Sequence, residues 1–336
     1  MVRAYRKIVI DRLAGDFRGS TRIVETPWIE PGAGEVVVRN LHAGCNAVFD
    51  ANLCRNTLRY VEVAPPFDMG IESVGEVVAT GPGVTGFCVG DPVATSRLGT
   101  GYREYQVAEV ARLYRVREPS PEILTLIPTG ISALVALERV AEMRTGETVA
   151  VSAAAGALGH IVAQLAKRAG NRVIAITGSE AKAQRLRAFG FDRIVNYRAE
   201  SLRDALAREY PRGLDIAYDS VGGELFDTLL DHLAMRGRLI VSGHTADFDR
   251  PPEDVPHPRV YHKLYWKSAS VRAFLNPMFR EFFDDAARRI LDLYYAGELR
   301  VLVDPTPFVG LESVADAVEH VLSGRSSGKV VIRLAA

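Results

Sequence analysis

Cysteine is scarce in this chain of 336 residues: Cys45, Cys54 and Cys88 are the three it has. They are odd in number and lack the spacing of metal ligands, which suits a reducing compartment. Net charge is missing as well. Lysine plus arginine (41) balance aspartate plus glutamate (41), so no bulk field draws the chain to nucleic acid or to an anionic membrane. No basic stripe interleaved with aromatics argues otherwise. No apolar run approaches a membrane span, and the amino terminus lacks the apolar core of a signal peptide. The expectation is a cytoplasmic protein with no nucleic-acid or membrane partner. Internal repeats and low-complexity tracts are absent too. What remains is an ordinary balance for a globular protein, 48% hydrophobic and 24% charged, in a chain long enough for two domains.

The most informative stretch is Ala153-Ala154-Ala155-Gly156-Ala157-Leu158-Gly159. It joins an apolar, β-prone run (Thr148–Ser152) to a segment with apolar residues at helical spacing (Leu158, Ile161, Val162, Leu165, Ala166). A strand entering a helix through small residues lets backbone N–H groups approach a pyrophosphate, which the positive end of the helix stabilises. Gly156 and Gly159 fill the second and third positions of a G-x-G-x-x-G pattern, with Ala154 at the first. Alone the pattern is weak, since a helix merely packed closely on a strand has the same need for small residues.

The context sharpens it. Strand-like runs follow at 172–177, 193–197, 215–221, 238–242 and 268–274, with helical segments expected at 181–189, 202–208 and 224–234. That alternation is the signature of a doubly wound parallel sheet, an α/β Rossmann domain with the glycine motif at its first turn.

Residues 1 to about 120 differ in texture. Short strand-like runs at 7–11, 35–42, 73–78 and 103–107 are separated by Gly and Pro punctuation, as in an irregular, mostly antiparallel β domain. A helical stretch at 123–142 leads into the Rossmann half. After it come a helix at 279–296, a Pro-rich stretch, a helix at 311–323 and a final strand at 329–334. This tail is expected to rejoin the first domain. The expected division is 1–121 with 275–336 as the catalytic domain and 122–274 as the nucleotide-binding domain, with the active site in the cleft between them.

An NAD-specific site places Asp or Glu about 20 residues beyond the glycines, on the ribose 2′-hydroxyl. Here the second strand ends Ile176-Thr177-Gly178-Ser179, with no carboxylate at its tip. Lys182 is placed to meet a 2′-phosphate and Ser179 to donate to one, with Tyr197 covering the adenine side. The plain alternative makes Lys182 a solvated helix lysine, Ser179 a helix cap and Tyr197 packing. The missing acid and nearby cation favour NADPH over NADH.

Taken with Gly44-Cys45-Asn46-Ala47, Pro65–Glu72, Gly75–Val78, Val89–Val93, Asp219–Gly223, Lys267–Val271 and Ser327–Val331, the motif makes the chain resemble the medium-chain dehydrogenase/reductase superfamily. Within it the chain is similar to the zinc-independent branch of quinone oxidoreductases and enoyl or 2-alkenal reductases, those of the prostaglandin reductase 3 type included. The resemblance implies a GroES-like fold for the β domain. It also implies that the catalytic zinc is missing. Ile71 stands where zinc-dependent relatives carry the His of Gly-His-Glu, Asn46 where they carry the first cysteine ligand, and no cysteine follows residue 88.

Without a metal, an alkene conjugated to a carbonyl is an easier hydride acceptor than a ketone. The expected activity is NADPH-dependent hydride transfer to the β-carbon of an enone, enal, quinone or enoyl thioester, with donors on the developing oxyanion. Tyr60 is the first candidate donor, because relatives place a tyrosine near here; the other reading leaves it in the core. Asn46 resembles the family asparagine at the nicotinamide edge, or else caps a turn. By the same resemblance Phe274, Leu275 and Asn276 meet the carboxamide, beside Ser242 and Gly243. Gly156, Ala157, Leu158 and Gly159 hold the pyrophosphate, with Ala154, Thr177, Gly178, Ser220 and Val221 completing the cofactor set.

His160, His257 and His262 read as structural. Cys45 and Cys54 are reactive only if their thiolates are stabilised. The cluster Tyr261, Tyr265 and Trp266 fits a substrate mouth or a subunit contact. Two alternatives stay open. A dedicated reductase of carrier-bound or CoA thioesters would need a basic patch, for which Arg55, Arg59 and Arg103 are candidates. A non-catalytic NADPH-binding sensor would tolerate the unusual 48–60 segment. The run 268–274 forms the sheet edge, and pairing of two such edges predicts a homodimer.

Overall fold

A computed structural model describes residues 4–248, 254–256 and 258–334; His257 lies outside the described residues. The chain divides into two compact units, Met1–Thr129 with Val303–Ala336, and Gly130–Leu302.

In the first unit, β1 (Ala4–Ile10) pairs antiparallel with β2 (Thr21–Pro27), and α1 (Phe17–Ser20) sits in the connection, capped by the Asp16 carboxylate on the Gly19 N–H at 2.6 Å. β3 (Glu35–Gly44) is the unit's long strand, and α2 (Ala47–Arg55) begins three residues after it ends. β4 (Phe67–Asp68) adds to β1, and β5 (Glu72–Thr80) pairs antiparallel with β3. β6 (Pro92–Ser96), β7 (Tyr105–Glu109) and β8 (Leu113–Arg115) complete the antiparallel part, β7 lying on the free side of β3. Three successive valines of β3, Val36, Val37 and Val38, are buried, so both faces of the strand are covered there, with Val36 and Val38 packed against Val77 and Val93.

A helical run from Thr125 to Val140, kinked at Ile127 and containing α3 (Ile131–Val135), carries the chain into the second unit. Here β9 (Thr148–Val151) is followed by α4 (Gly159–Arg168), β10 (Arg172–Thr177), α5 (Glu180–Leu186), β11 (Arg193–Asn196) and α6 (Leu202–Glu209). Then come β12 (Leu214–Asp219), α7 (Gly223–Asp231), β13 (Leu233–Val241), α8 (Tyr261–Tyr265) and β14 (Ser270–Ala273). The strands are parallel in the order β11-β10-β9-β12-β13-β14. Numbered from β9, that is 3-2-1-4-5-6, the doubly wound dinucleotide order, with its reversal between β9 and β12. Ile174, Ile176, Val195, Leu206, Leu229 and Leu239 fill one face.

The helix expected at 224–234 stops at Asp231, because Leu233 opens β13 instead of continuing the helix's apolar stripe. The helix expected from 279 starts at Phe283, after tighter turns over Asn276–Phe282, and is α9 (Phe283–Tyr295). It packs on α3 and pairs Arg289 with Glu138. That contact carries the second unit to Leu302, past the boundary near 274 that the sequence suggests. The tail rejoins the first unit through β15 (Phe308–Val309), α10 (Val314–Leu322) and β16 (Val331–Arg333), and β16 pairs antiparallel with the end of β3.

Candidate active site

Parallel register sets Val151 beside Ala175 and Tyr218, Asp219 beside Val241, and Val241 beside Ala273. The loops leaving those carboxyl ends therefore share one edge of the sheet, where doubly wound folds bind nucleotides. In the first loop Ala153 takes a left-handed φ of 45°, and the Gly156 N–H donates to its carbonyl at 2.8 Å. Such a conformation costs a non-glycine residue on the order of 1 kcal/mol, strain of a kind that gathers at functional sites. The Ala154 N–H donates to Ile176 O at 2.9 Å and ties the loop to β10. A β-carbon at Gly159 would collide with the Ala153 carbonyl, and one at Gly156 would stand 3.2 Å from the same oxygen. Glycine is thus required at 159 and avoids a tight contact at 156. With Ala157 and Leu158 between the glycines and the positive end of α4 behind them, the loop is a cradle that fits a pyrophosphate.

Asp219, passed over as a functional residue in the sequence, organises the facing loop. Its buried carboxylate accepts from the Ser152 hydroxyl at 2.6 Å, from the Val221 N–H at 3.0 Å and from the Gly222 N–H at 3.0 Å. The Ser152 oxygen in turn accepts from the Ser220 N–H at 3.0 Å. Ser220 and Val221 are thereby fixed beside the glycine loop. The Ser242 N–H donates to Asp219 O at 2.8 Å, and a β-carbon at Gly243 would approach Ser220 O to 3.1 Å. The Phe274 N–H bonds Val241 O at 2.9 Å, Leu275 is exposed, and the Asn276 amide donates to the Ser132 hydroxyl at 2.6 Å.

At the tip of β10, Thr177 is buried and Gly178 lies under Tyr197, whose hydroxyl would meet a β-carbon there at 2.9 Å. Ser179 caps α5 by accepting the Lys182 N–H at 3.3 Å. Glu180, the first carboxylate after β10, is turned to Arg187 at 2.7 Å. Ser179 thus caps α5, and Tyr197, just past the end of β11, is partly exposed over Gly178.

His160 is fully buried in α4. Its Nδ1 donates to Gly156 O at 2.7 Å, so Nε2 is the acceptor for the Leu302 N–H at 3.0 Å. The ring is neutral, and burial pulls its pKa down to about 4. It is a brace for the glycine loop, in keeping with the structural reading. His262 is exposed, with its ring edge-on to Tyr261.

Asn46 and Tyr60 belong to the other unit. Asn46 precedes α2 but makes no side-chain cap bond. Its Oδ1 accepts from the Lys329 ammonium at 3.1 Å, and the same ammonium donates to Cys45 O at 3.2 Å and pairs with Glu72. Glu72 and Lys329 are both buried. Burial raises the Glu72 carboxyl, and the Lys329 charge opposes the rise. One turn into α2, the buried Asp50 accepts from the Tyr102 hydroxyl at 2.6 Å; burial pushes its carboxyl up to about 7. Neither pair was found from the sequence, although Glu72 and Lys329 each fall within a quoted motif. Tyr60 lies in the irregular segment after α2 and is 43% exposed, so it is not a core residue. Cys45 and Cys54 are buried, and burial raises both thiols, that of Cys54 to about 11; neither thiolate is stabilised.

Two family models match the chain: an alcohol dehydrogenase GroES-like domain over residues 32–118 and a zinc-binding dehydrogenase domain over residues 157–292. Prostaglandin reductase-3 of Mus musculus is 38% identical across 99% of this chain and 90% of its own length. The chain belongs to the medium-chain dehydrogenase/reductase superfamily. A 2-alkenal reductase (NADP(+)-dependent) of Nicotiana tabacum is 30% identical over 90% of this chain and 88% of its own. A mycobacterial protein solved in complex with NADPH superposes with a TM-score of 0.82 at 26% identity, covering 98% of this chain and 99% of that one.

In this medium-chain dehydrogenase/reductase, no three His, Cys, Asp or Glu side chains gather as a metal site would require among the described residues. None of the described helices is long and apolar enough to cross a membrane. Of the arginines considered for a thioester mouth, Arg103 is tied to Asp68 and Arg55 to Gly15 O at 2.7 Å, while Arg59 is exposed.

Proposed function

We propose that this chain is an NADPH-dependent reductase of activated alkenes, acting on enones, enals, quinones or related conjugated carbonyls. The observation that carries the reading is the cradle kept open by Gly156 and Gly159, followed by a β10 tip without a free carboxylate. The cradle fits the pyrophosphate. The tip, with Lys182 in the first turn of α5 and Glu180 engaged by Arg187, favours a 2′-phosphate over a bare ribose. The alkene-reducing and NADPH-bound relatives point the same way.

When bound, NADPH supplies a hydride to the alkene β-carbon, the alkene electron pair moving to the carbonyl oxygen and a solvent proton reaching the α-carbon. Gly156, Ala157, Leu158 and Gly159 hold the pyrophosphate. Ser220, Val221, Ser242, Gly243 and the 274–276 segment line its path, and Ala154, Thr177 and Gly178 shape the floor beside Ser179, Lys182 and Tyr197. Asn46 offers amide hydrogens to the developing oxyanion or to the cofactor carboxamide. Tyr60, partly exposed with burial raising its phenol, stays protonated as a second donor. We place the protein in the cytoplasm, as a homodimer through β14.

The test is NADPH oxidation followed at 340 nm against a panel of enones, enals, quinones and enoyl thioesters, with NADH in parallel. Turnover of one alkene class with NADPH preferred is the expected result. Tight NADPH binding with no turnover anywhere on the panel would overturn the reductase reading in favour of a sensor. A preference for enoyl-CoA would favour the thioester reductase, a reading weakened by the engagement of Arg55 and Arg103.

A further inference from the structure

The buried ion pair Glu72–Lys329 has no place in the chemistry derived so far, yet it is built around Asn46. Lys329 is 2% exposed and Glu72 fully buried. The ammonium has three hydrogens and three oxygens around it: Glu72, Cys45 O at 3.2 Å and Asn46 Oδ1 at 3.1 Å. Gly44 makes the room, because a β-carbon there would overlap the Glu72 carboxylate and the Lys329 side chain alike. A surface ion pair would leave Asn46 free to rotate. This one does not.

An ammonium only donates, so the atom of Asn46 that faces it is the oxygen. The amide nitrogen faces the Glu72 carboxylate, whose upward pKa shift it opposes, and makes a stretched bond to Gly44 O at 3.5 Å. The ion pair thus grips both ends of the amide, and the second amide hydrogen is the one left to donate elsewhere. A cation on the carbonyl also withdraws electron density from the amide and strengthens its N–H groups as donors. We propose that Lys329, held by Glu72, is a positioning residue that fixes Asn46 with its NH2 presented and polarised toward the electron-rich oxygen it serves. The inference rests on the reductase reading for what that oxygen is, but not for the orientation of Asn46.

Removing one charge alone would strand the other in the core, so the test uses the neutral pair Glu72→Gln with Lys329→Met. In cofactor-free protein labelled with 15N-asparagine, the Asn46 side-chain NH2 pair is assigned by its loss in Asn46→Ala. The neutral-pair variant is expected to shift that pair and to speed the exchange of its two hydrogens. In steady state it should lower kcat about tenfold or more while KM for NADPH moves less than twofold, with Lys329→Arg recovering part of the loss. Combined with Asn46→Ala it should lower kcat no further than Asn46→Ala alone. Unchanged NH2 resonances, or losses in kcat that multiply, would overturn the proposal. Were no alkene reduced by the wild-type protein, the reductase reading would fall, and the resonances would still decide for or against Lys329.

Discussion

One hydrogen atom in place of a methyl group keeps the Gly159 position open. Gly159→Ala sets a β-carbon against the Ala153 carbonyl, which is already strained at φ 45°, so the head of α4 must move. The expected outcome is at least about tenfold weaker NADPH binding, some 1.4 kcal/mol, with a lower Tm, read by fluorescence titration and calorimetry. Unchanged affinity would dismiss the cradle. Such glycines were legible in the sequence because what they provide is local: a missing side chain at a fixed step between strand and helix. Asp219 and Lys329 were not. The Ser152 hydroxyl reaches Asp219 across 67 residues, and Lys329 reaches Asn46 across 283, so what these charges do depends on partners that only the fold brings close. Tyr60 and Asn46 were named from resemblance, and spacing alone would have found neither.

Among the elements, the parallel sheet was the readable part, since a buried strand between amphipathic helices announces itself twice. Its ends were less so. Leu233 continues the stripe of Leu229 and Leu230 and reads as helix until the chain turns it into β13. Helix α2 was missed, although Ala47, Asp50, Ala51 and Cys54 are buried at helical spacing, because a buried aspartate on that face disguises it. At the sheet edge, Val271 and Ala273 of β14 are exposed, and Tyr265, Trp266 and Met278 nearby are 73%, 75% and 63% exposed. An unpaired edge flanked by bare aromatics invites a second copy. The wild-type protein should sediment as a dimer at micromolar concentration, and Val271→Asp, which sets two carboxylates across a two-fold edge, should sediment as a monomer. A wild-type monomer would dispose of the edge-to-edge dimer.

For the molecule as a whole, two buried groups in different units set opposing pH dependences. His160 has its pKa pulled from 6.5 to about 4 by burial, so the folded state binds fewer protons than the unfolded one in that window. Its contribution is complete above about pH 6.5 and is lost as pH falls through about 4, a swing of roughly 3 kcal/mol. Asp50 runs the other way. Raised from 3.8 to about 7 by burial, its contribution is complete below about pH 3.8 and is lost as pH rises through about 7. Over the shared window the two slopes cancel in large part, and the wild-type Tm should look flatter than either group alone would make it. Single substitutions separate them. Relative to wild type, His160→Gln should gain stability as pH drops from 6.5 toward 4, and Asp50→Asn should gain it as pH climbs from 4 toward 7. Calorimetry of the three proteins in half-unit pH steps reads both differences. Curves that stay parallel to wild type would mean that His160 titrates in the folded protein as it does in solvent, and its neutral brace between Gly156 and Leu302 would have to be given up.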